Sequence, residues 1–161
     1  FWITVFLNVP EGTVFAGVQL DGSILTMQLD IIAQLKVFLL SLPLVCTIAN
    51  IMLSNNICDL ETDITNHRYT LVYYIGKKQA LVVYQVLYAI AFGAMVLAVL
   101  LGVAPWILLG VLAVGVPVYK HIQQFKALQE KKTTFALAIK NMVMIHSLQA
   151  VLLFVAVLFF N

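Results

Sequence analysis

The chain has 161 residues, of which 63% are hydrophobic and only 10% charged, and its mean hydropathy is +1.02. Water-soluble domains carry about 25% charged residues, so this chain lacks the polar surface to cover a core in water and its solvent is largely lipid. A net charge of +2 without a basic stripe interleaved with aromatics argues against a nucleic-acid partner.

Residues 1–9 read as the tail of a membrane-spanning helix. The chain starts at Phe1 inside an apolar run and shows no signal-peptide pattern, so an N-terminal truncation is expected. Residues 10–30, with Glu11, Gly12, Gly17, Asp21 and Gly22 but no Lys or Arg, read as a loop with short apolar patches. Residues 31–54 have about the length needed to cross a ~30 Å hydrocarbon core, with Pro43 as a kink and Lys36 snorkelling from near the outer end. A polar stretch, residues 55–79, follows. Residues 80–101 form the next span, closed by a Gly102-Val103-Ala104-Pro105 turn in which Pro105 suits the first position of a new helix. The span at residues 105–120 is short, so it is expected to continue through the basic segment at 120–132, with Pro117 bending or breaking it. Residues 134–160 supply the last span. The expected fold is an all-α polytopic transmembrane bundle, a single integral-membrane domain with one partial and four full spans. Cys46 and Cys58 lack metal-ligand spacing with any His and read as buried thiols.

Cytoplasmic loops are enriched in Lys and Arg. Arg68, Lys77 and Lys78 fall in one connection, and Lys120, Lys126, Lys131 and Lys132 in another two spans later, so seven of the nine basic residues mark one side. The connections at 10–30 and 102–104 have none. The polar stretch is therefore expected on the cytoplasmic side and Asn161 outside.

Asp59, Glu61 and Asp63 are three of the seven acidic residues and lie within five positions at the end of a span. Carboxylates beside a bilayer are costly unless paired, hydrated or holding a metal. On a continuing helix Asp59 and Asp63 share a face, Asn55 and Asn56 sit a turn earlier on or beside it, and Glu61 points away. Two carboxylates so spaced can each give an oxygen to Mg²⁺, which completes its shell with waters and substrate phosphates. Arg68, Lys77 and Lys78 follow as partners for a polyanion. A solvated interfacial turn whose acids and bases merely pair with each other has the same spacing, and spacing alone leaves both readings open.

The run Asn55-Asn56-Ile57-Cys58-Asp59-Leu60-Glu61-Thr62-Asp63, followed by Arg68, Thr70-Leu71 and Ile75-Gly76, resembles the second aspartate-rich motif of the UbiA family of aromatic prenyltransferases. It is most similar to the 1,4-dihydroxy-2-naphthoate polyprenyltransferases of menaquinone biosynthesis. His67 stands where that family usually has Gly, and Tyr74 where a basic residue is common. The resemblance implies the second half of a nine-helix bundle in the bacterial cell membrane. It also implies Mg²⁺-dependent transfer of a polyprenyl group from its diphosphate to dihydroxynaphthoate, giving demethylmenaquinone. Asp59 and Asp63 would hold the metal, with Glu61 a weaker ligand, and Asn55 and Asn56 would orient metal waters or substrate. Arg68 and Lys77 or Lys78 would bind the pyrophosphate. The family's first motif, of N-D-x-x-D type, does not occur in this sequence, so the fragment alone is expected to be inactive.

Tyr69, Tyr73 and Tyr74 read as interfacial belt residues. Lys140, Asn141, His146 and Gln149 put polar groups on the last span, with His146 and Gln149 bonding neighbouring helices; His121 reads as solvated. Gly93, Gly102, Gly110 and Gly115 read as close-packing positions. A transporter or ion-binding subunit, and an inactive remnant of a prenyltransferase, are the alternatives; a transporter would place its ionisable groups near mid-membrane.

Overall fold

The structure, a computed structural model, describes residues 16–159, so the partial span at residues 1–9 and the terminal Asn161 lie outside the described residues. The chain divides into two compact units between Ser41 and Leu42.

In the first unit, β1 (Ala16–Asp21) and β2 (Ile24–Leu29) pair as an antiparallel hairpin. This corrects the loop expected there. The connection is Gly22-Ser23, and Gly22 has φ 58, the positive angle that a two-residue hairpin loop opening on Gly requires. Asp30 then begins helix α1 (Ile31–Thr65), its Oδ1 accepting the Ala33 N–H at 2.9 Å as an N-cap.

The second unit holds the rest of α1, then α2 (Leu71–Leu100), a 3₁₀ segment (Trp106–Val114), α3 (Gly115–Ala127) and α4 (Phe135–Phe159). Four segments are long and apolar enough to cross a membrane: Ile31–Thr65, Leu71–Leu100, Trp106–Ala127 and Phe135–Phe159. Most of the polar stretch at 55–79 is helical, because polar side chains alone do not end a helix. What ends α1 is backbone geometry. His67 sits at φ 55, its N–H bonds the Ile64 carbonyl at 3.0 Å, and the Arg68 N–H bonds the Asp63 carbonyl at 2.7 Å. That pair of bonds is a Schellman cap with His67 in the left-handed position. The expected turn after α2 is the same device: Gly102 (φ 67) bonds Val99 at 3.0 Å and Val103 bonds Ala98 at 2.8 Å.

The short span resolves into two helix types. In the 3₁₀ segment, Leu108 and Val111 are buried at the three-residue period of that helix. Pro117 falls in the first turn of α3, where a missing N–H leaves no hydrogen bond broken. The inner face of α2 carries Ala80 before, and Ala91, Ala94 and Ala98 after, the buried Tyr84 and Tyr88, and small residues let membrane helices approach closely. Of the glycines expected to pack closely, Gly110 does: a Cβ there would lie 3.2 Å from the Leu152 side chain, whereas one at Gly93 or Gly115 would meet nothing within 4 Å.

Candidate functional site

Because α1 stays helical to Thr65, Asn55, Asp59 and Asp63 follow one another at four-residue intervals along one side of the helix. Asp63 is buried, and Asn55 and Asp59 are half-buried. Across from them, the ammonium of Lys131 bonds both Asn55 Oδ1 and Asp59 Oδ2. Lys131 comes from the connection between α3 and α4, which is tied down by its own bonds. Thr134 Oγ1 accepts the Glu130 N–H at 2.9 Å and donates to the Leu128 carbonyl at 2.8 Å, while Gln129 Nε2 donates to the Phe125 carbonyl at 2.8 Å. Phe135 adds its ring face, 5.3 Å from Nζ, a cation–π contact that steadies the ammonium.

Glu61 belongs to a different pairing. Its side chain is 89% exposed and accepts from Lys77 Nζ at 3.3 Å. Two residues after Asp59, it leaves the helix on another side, so the three carboxylates expected at one ion do not gather. Among the described residues no three His, Cys, Asp or Glu side chains form a metal cluster. Lys77 follows Gly76, whose φ 79 and ψ 155 interrupt α2. Arg68 and Lys78 are exposed near the same end of the helices, and Asn56 is half-buried. Tyr69, Tyr73 and Tyr74 are exposed and pack in sequence, Tyr69 tilted against Tyr73 and Tyr73 edge-to-face with Tyr74, with centroids 4.9 and 5.2 Å apart.

A second polar set lies deeper. Asn50, fully buried in α1, donates from Nδ2 to the Tyr84 carbonyl of α2 at 3.1 Å. The Tyr84 and Tyr88 hydroxyls are 3.5 Å apart, Asn141 Nδ2 of α4 donates to Tyr88 Oη at 3.1 Å, and His121 Nδ1 of α3 donates to Asn141 Oδ1 at 2.6 Å. His121 is thus half-buried in an interhelical bond, correcting the solvated position expected for it. His146 bonds Thr47 of α1 through Nε2 at 2.7 Å, as an interhelical residue should. Beside the set, a cavity of about 300 Å³ between α2 and α3 is walled mainly by apolar side chains, with Gln85, Tyr88, Tyr119 and Gln123 supplying polar atoms.

A model of the UbiA prenyltransferase family matches residues 3–148. The chain belongs to the UbiA prenyltransferase family. Neither a curated protein nor a solved structure matches the chain. Family membership together with the four membrane-length helices makes this an integral membrane protein. UbiA members are prenyltransferases, transfer to aromatic acceptors is their reaction class, and they generally use a divalent metal.

Sequence reading gathered the UbiA motif residues but missed Lys131, Asn50, Tyr84 and Tyr88. A signal for Lys131 was present: the charge asymmetry put its loop and the acidic motif on one side. Nothing in the sequence selects it among its neighbours Lys126 and Lys132.

Proposed function

We propose that this chain carries the diphosphate-binding acidic motif of a Mg²⁺-dependent prenyl transfer, from a polyprenyl diphosphate to an aromatic acceptor. The observation that carries the reading is the convergence of Asn55 Oδ1 and Asp59 Oδ2 on a single cation, the Lys131 ammonium. Oxygen donors already aimed at one positive charge, with Asp63 a turn beyond, fit the hard-oxygen chemistry of Mg²⁺; its remaining positions suit waters and phosphate oxygens.

Asn55, Asp59 and Asp63 would hold the metal, and Asn56 would orient its waters. Bound there, Mg²⁺ supplies charge stabilisation to the departing pyrophosphate. Arg68, Lys77, Lys78 and Lys131 bind the diphosphate oxygens as the allylic C–O bond breaks and its electron pair leaves with them. The aromatic ring carbon then provides the pair for the new C–C bond. With 1,4-dihydroxy-2-naphthoate as acceptor, the ring loses its carboxylate as CO₂ and the product is the hydroquinone form of demethylmenaquinone. The apolar cavity between α2 and α3 suits part of the isoprenoid tail. Glu61 is assigned to holding Lys77 and not to the ion. The sequence contains one acidic motif of this kind, so any second metal-binding set is supplied from outside these 161 residues. The motif end of the bundle is assigned to the cytoplasmic side.

The test is prenyl transfer by membranes carrying the gene product, offered dihydroxynaphthoate beside hydroxybenzoate. Asp59→Asn and Asp63→Asn should each lower the rate on the order of 10²–10³-fold, the scale for losing a group that stabilises developing charge. Glu61→Gln should cost far less. Unchanged product from either Asp variant would sink the assignment, and preference for hydroxybenzoate would move the acceptor.

A further inference from the structure

The β1–β2 hairpin has two chemically distinct faces. Side chains alternate across a strand, and the register places Ala16 opposite Leu29, Val18 opposite Met27 and Leu20 opposite Leu25 on one face. On the other, Gly17 faces Gln28, Gln19 faces Thr26 and Asp21 faces Ile24. The first face is wholly apolar and open, with Val18 64%, Leu20 72%, Leu25 60% and Met27 68% exposed. A two-stranded hairpin is at best marginally stable in water by itself, so this face calls for cover.

What covers it follows from where the hairpin ends. Asp30 alone separates β2 from α1, and it caps that helix through Ala33. α1 is long and apolar enough to cross a membrane, and its apolar run begins at its first residue, with Ile31 70% and Ile32 68% exposed. The hairpin therefore emerges where a spanning helix enters hydrocarbon. Depth is limited by the backbone: among the described residues each strand has one unpaired edge, and unpaired N–H and C=O groups are not tolerated in the hydrocarbon core. The headgroup–acyl boundary satisfies both requirements.

We propose that β1–β2 is an interfacial hairpin lying flat on the bilayer, with the face of Val18, Leu20, Leu25 and Met27 in the acyl boundary and Gln19, Thr26 and Gln28 in water. Its attachment is apolar, because neither strand nor the Gly22-Ser23 loop holds a Lys or Arg, so it does not depend on anionic lipid.

Site-directed spin labelling of the chain in phosphatidylcholine nanodiscs tests this, with Cys46→Ala and Cys58→Ser removing the native thiols. Labels at positions 18, 20, 25 and 27 should be more accessible to oxygen, and labels at 19, 26 and 28 to a water-soluble nickel chelate. Adding anionic lipid or salt should leave that alternation in place. Equal nickel accessibility on both faces would overturn the proposal, and so would an apolar face shielded from both reagents, which would mean protein covers it. Labels on the polar face leave the apolar side chains intact, so oxygen-dominated relaxation there would overturn it even if apolar-face labels disturbed the hairpin.

Discussion

At the residue scale, two positions differ in how their identities match their backbones. Gly76 has φ 79 and ψ 155, a region open essentially only to Gly. His67, a residue with a Cβ, occupies a left-handed cap at φ 55, which costs an L-residue about 1–2 kcal/mol. Gly76→Ala should therefore destabilise the protein by about 1–3 kcal/mol, although the added methyl meets nothing within 4 Å. His67→Gly should act in the opposite direction, by about 1 kcal/mol once the greater freedom of unfolded Gly is subtracted. Thermal unfolding in detergent reads both, and shifts of the same sign would refute the cap. Lys131 gives a less intuitive expectation. Its ammonium sits on the oxygens assigned to the metal, so Lys131→Met should tighten binding of Mn²⁺ alone roughly 2- to 5-fold, the worth of a partly exposed ion pair. It should weaken binding of pyrophosphate. Free Mn²⁺ followed by electron paramagnetic resonance separates these effects, and weaker metal binding in the variant would count against competition.

At the scale of elements, hydropathy located all four membrane-length helices but not their ends. Runs such as Asn55-Asn56 and Asp59-Leu60-Glu61 look like a boundary to a hydropathy window, whereas the Schellman cap at His67 depends on two backbone bonds that composition does not report. The Gly102-to-Pro105 stop was legible because Gly and Pro mark such caps directly. The hairpin was legible too, in the alternation of Val18 and Leu20 with Gln19 and in the Gly22-Ser23 loop, but a strand pattern inside a lipid-dominated composition is easily read as patches in a loop. That His146 would bond another helix was legible, but the partners in the interhelical bonds were out of reach, since the sequence does not say which Tyr meets which Asn. Asn141 joins α2 to α3 by bonding Tyr88 and His121 at once. Asn141→Leu should cost about 1–2 kcal/mol, the upper range for interhelical polar contacts in membranes. Combined with Tyr88→Phe it should cost less than the sum of the two single changes, because both remove the same bond. Strictly additive losses in a double-mutant cycle of unfolding free energies would show that the bond contributes nothing.

For the molecule as a whole, the decisive relation is between two connections far apart in sequence. Lys131 reaches Asn55 and Asp59 only if the α3–α4 connection and the end of α1 lie on one side of the membrane. With α2 and the Trp106–Ala127 segment each crossing once, connections 66–70 and 128–134 share a side and the Gly102 turn lies on the other. The charges agree independently: the first two neighbourhoods hold Arg68, Lys77, Lys78, Lys126, Lys131 and Lys132, and the Gly102 turn holds no basic residue. The proposed function puts the shared side in the cytoplasm, in line with the positive-inside rule, where a water-soluble pyrophosphate can leave. Single cysteines at His67 and Lys132, in a background without Cys46 and Cys58, should react with a membrane-impermeant maleimide in inside-out vesicles and not in right-side-out ones. A cysteine at Leu101 should show the reverse. If His67→Cys and Lys132→Cys were labelled from opposite sides, Lys131 could not touch Asp59, and the diphosphate site would lose the cation that defines its geometry.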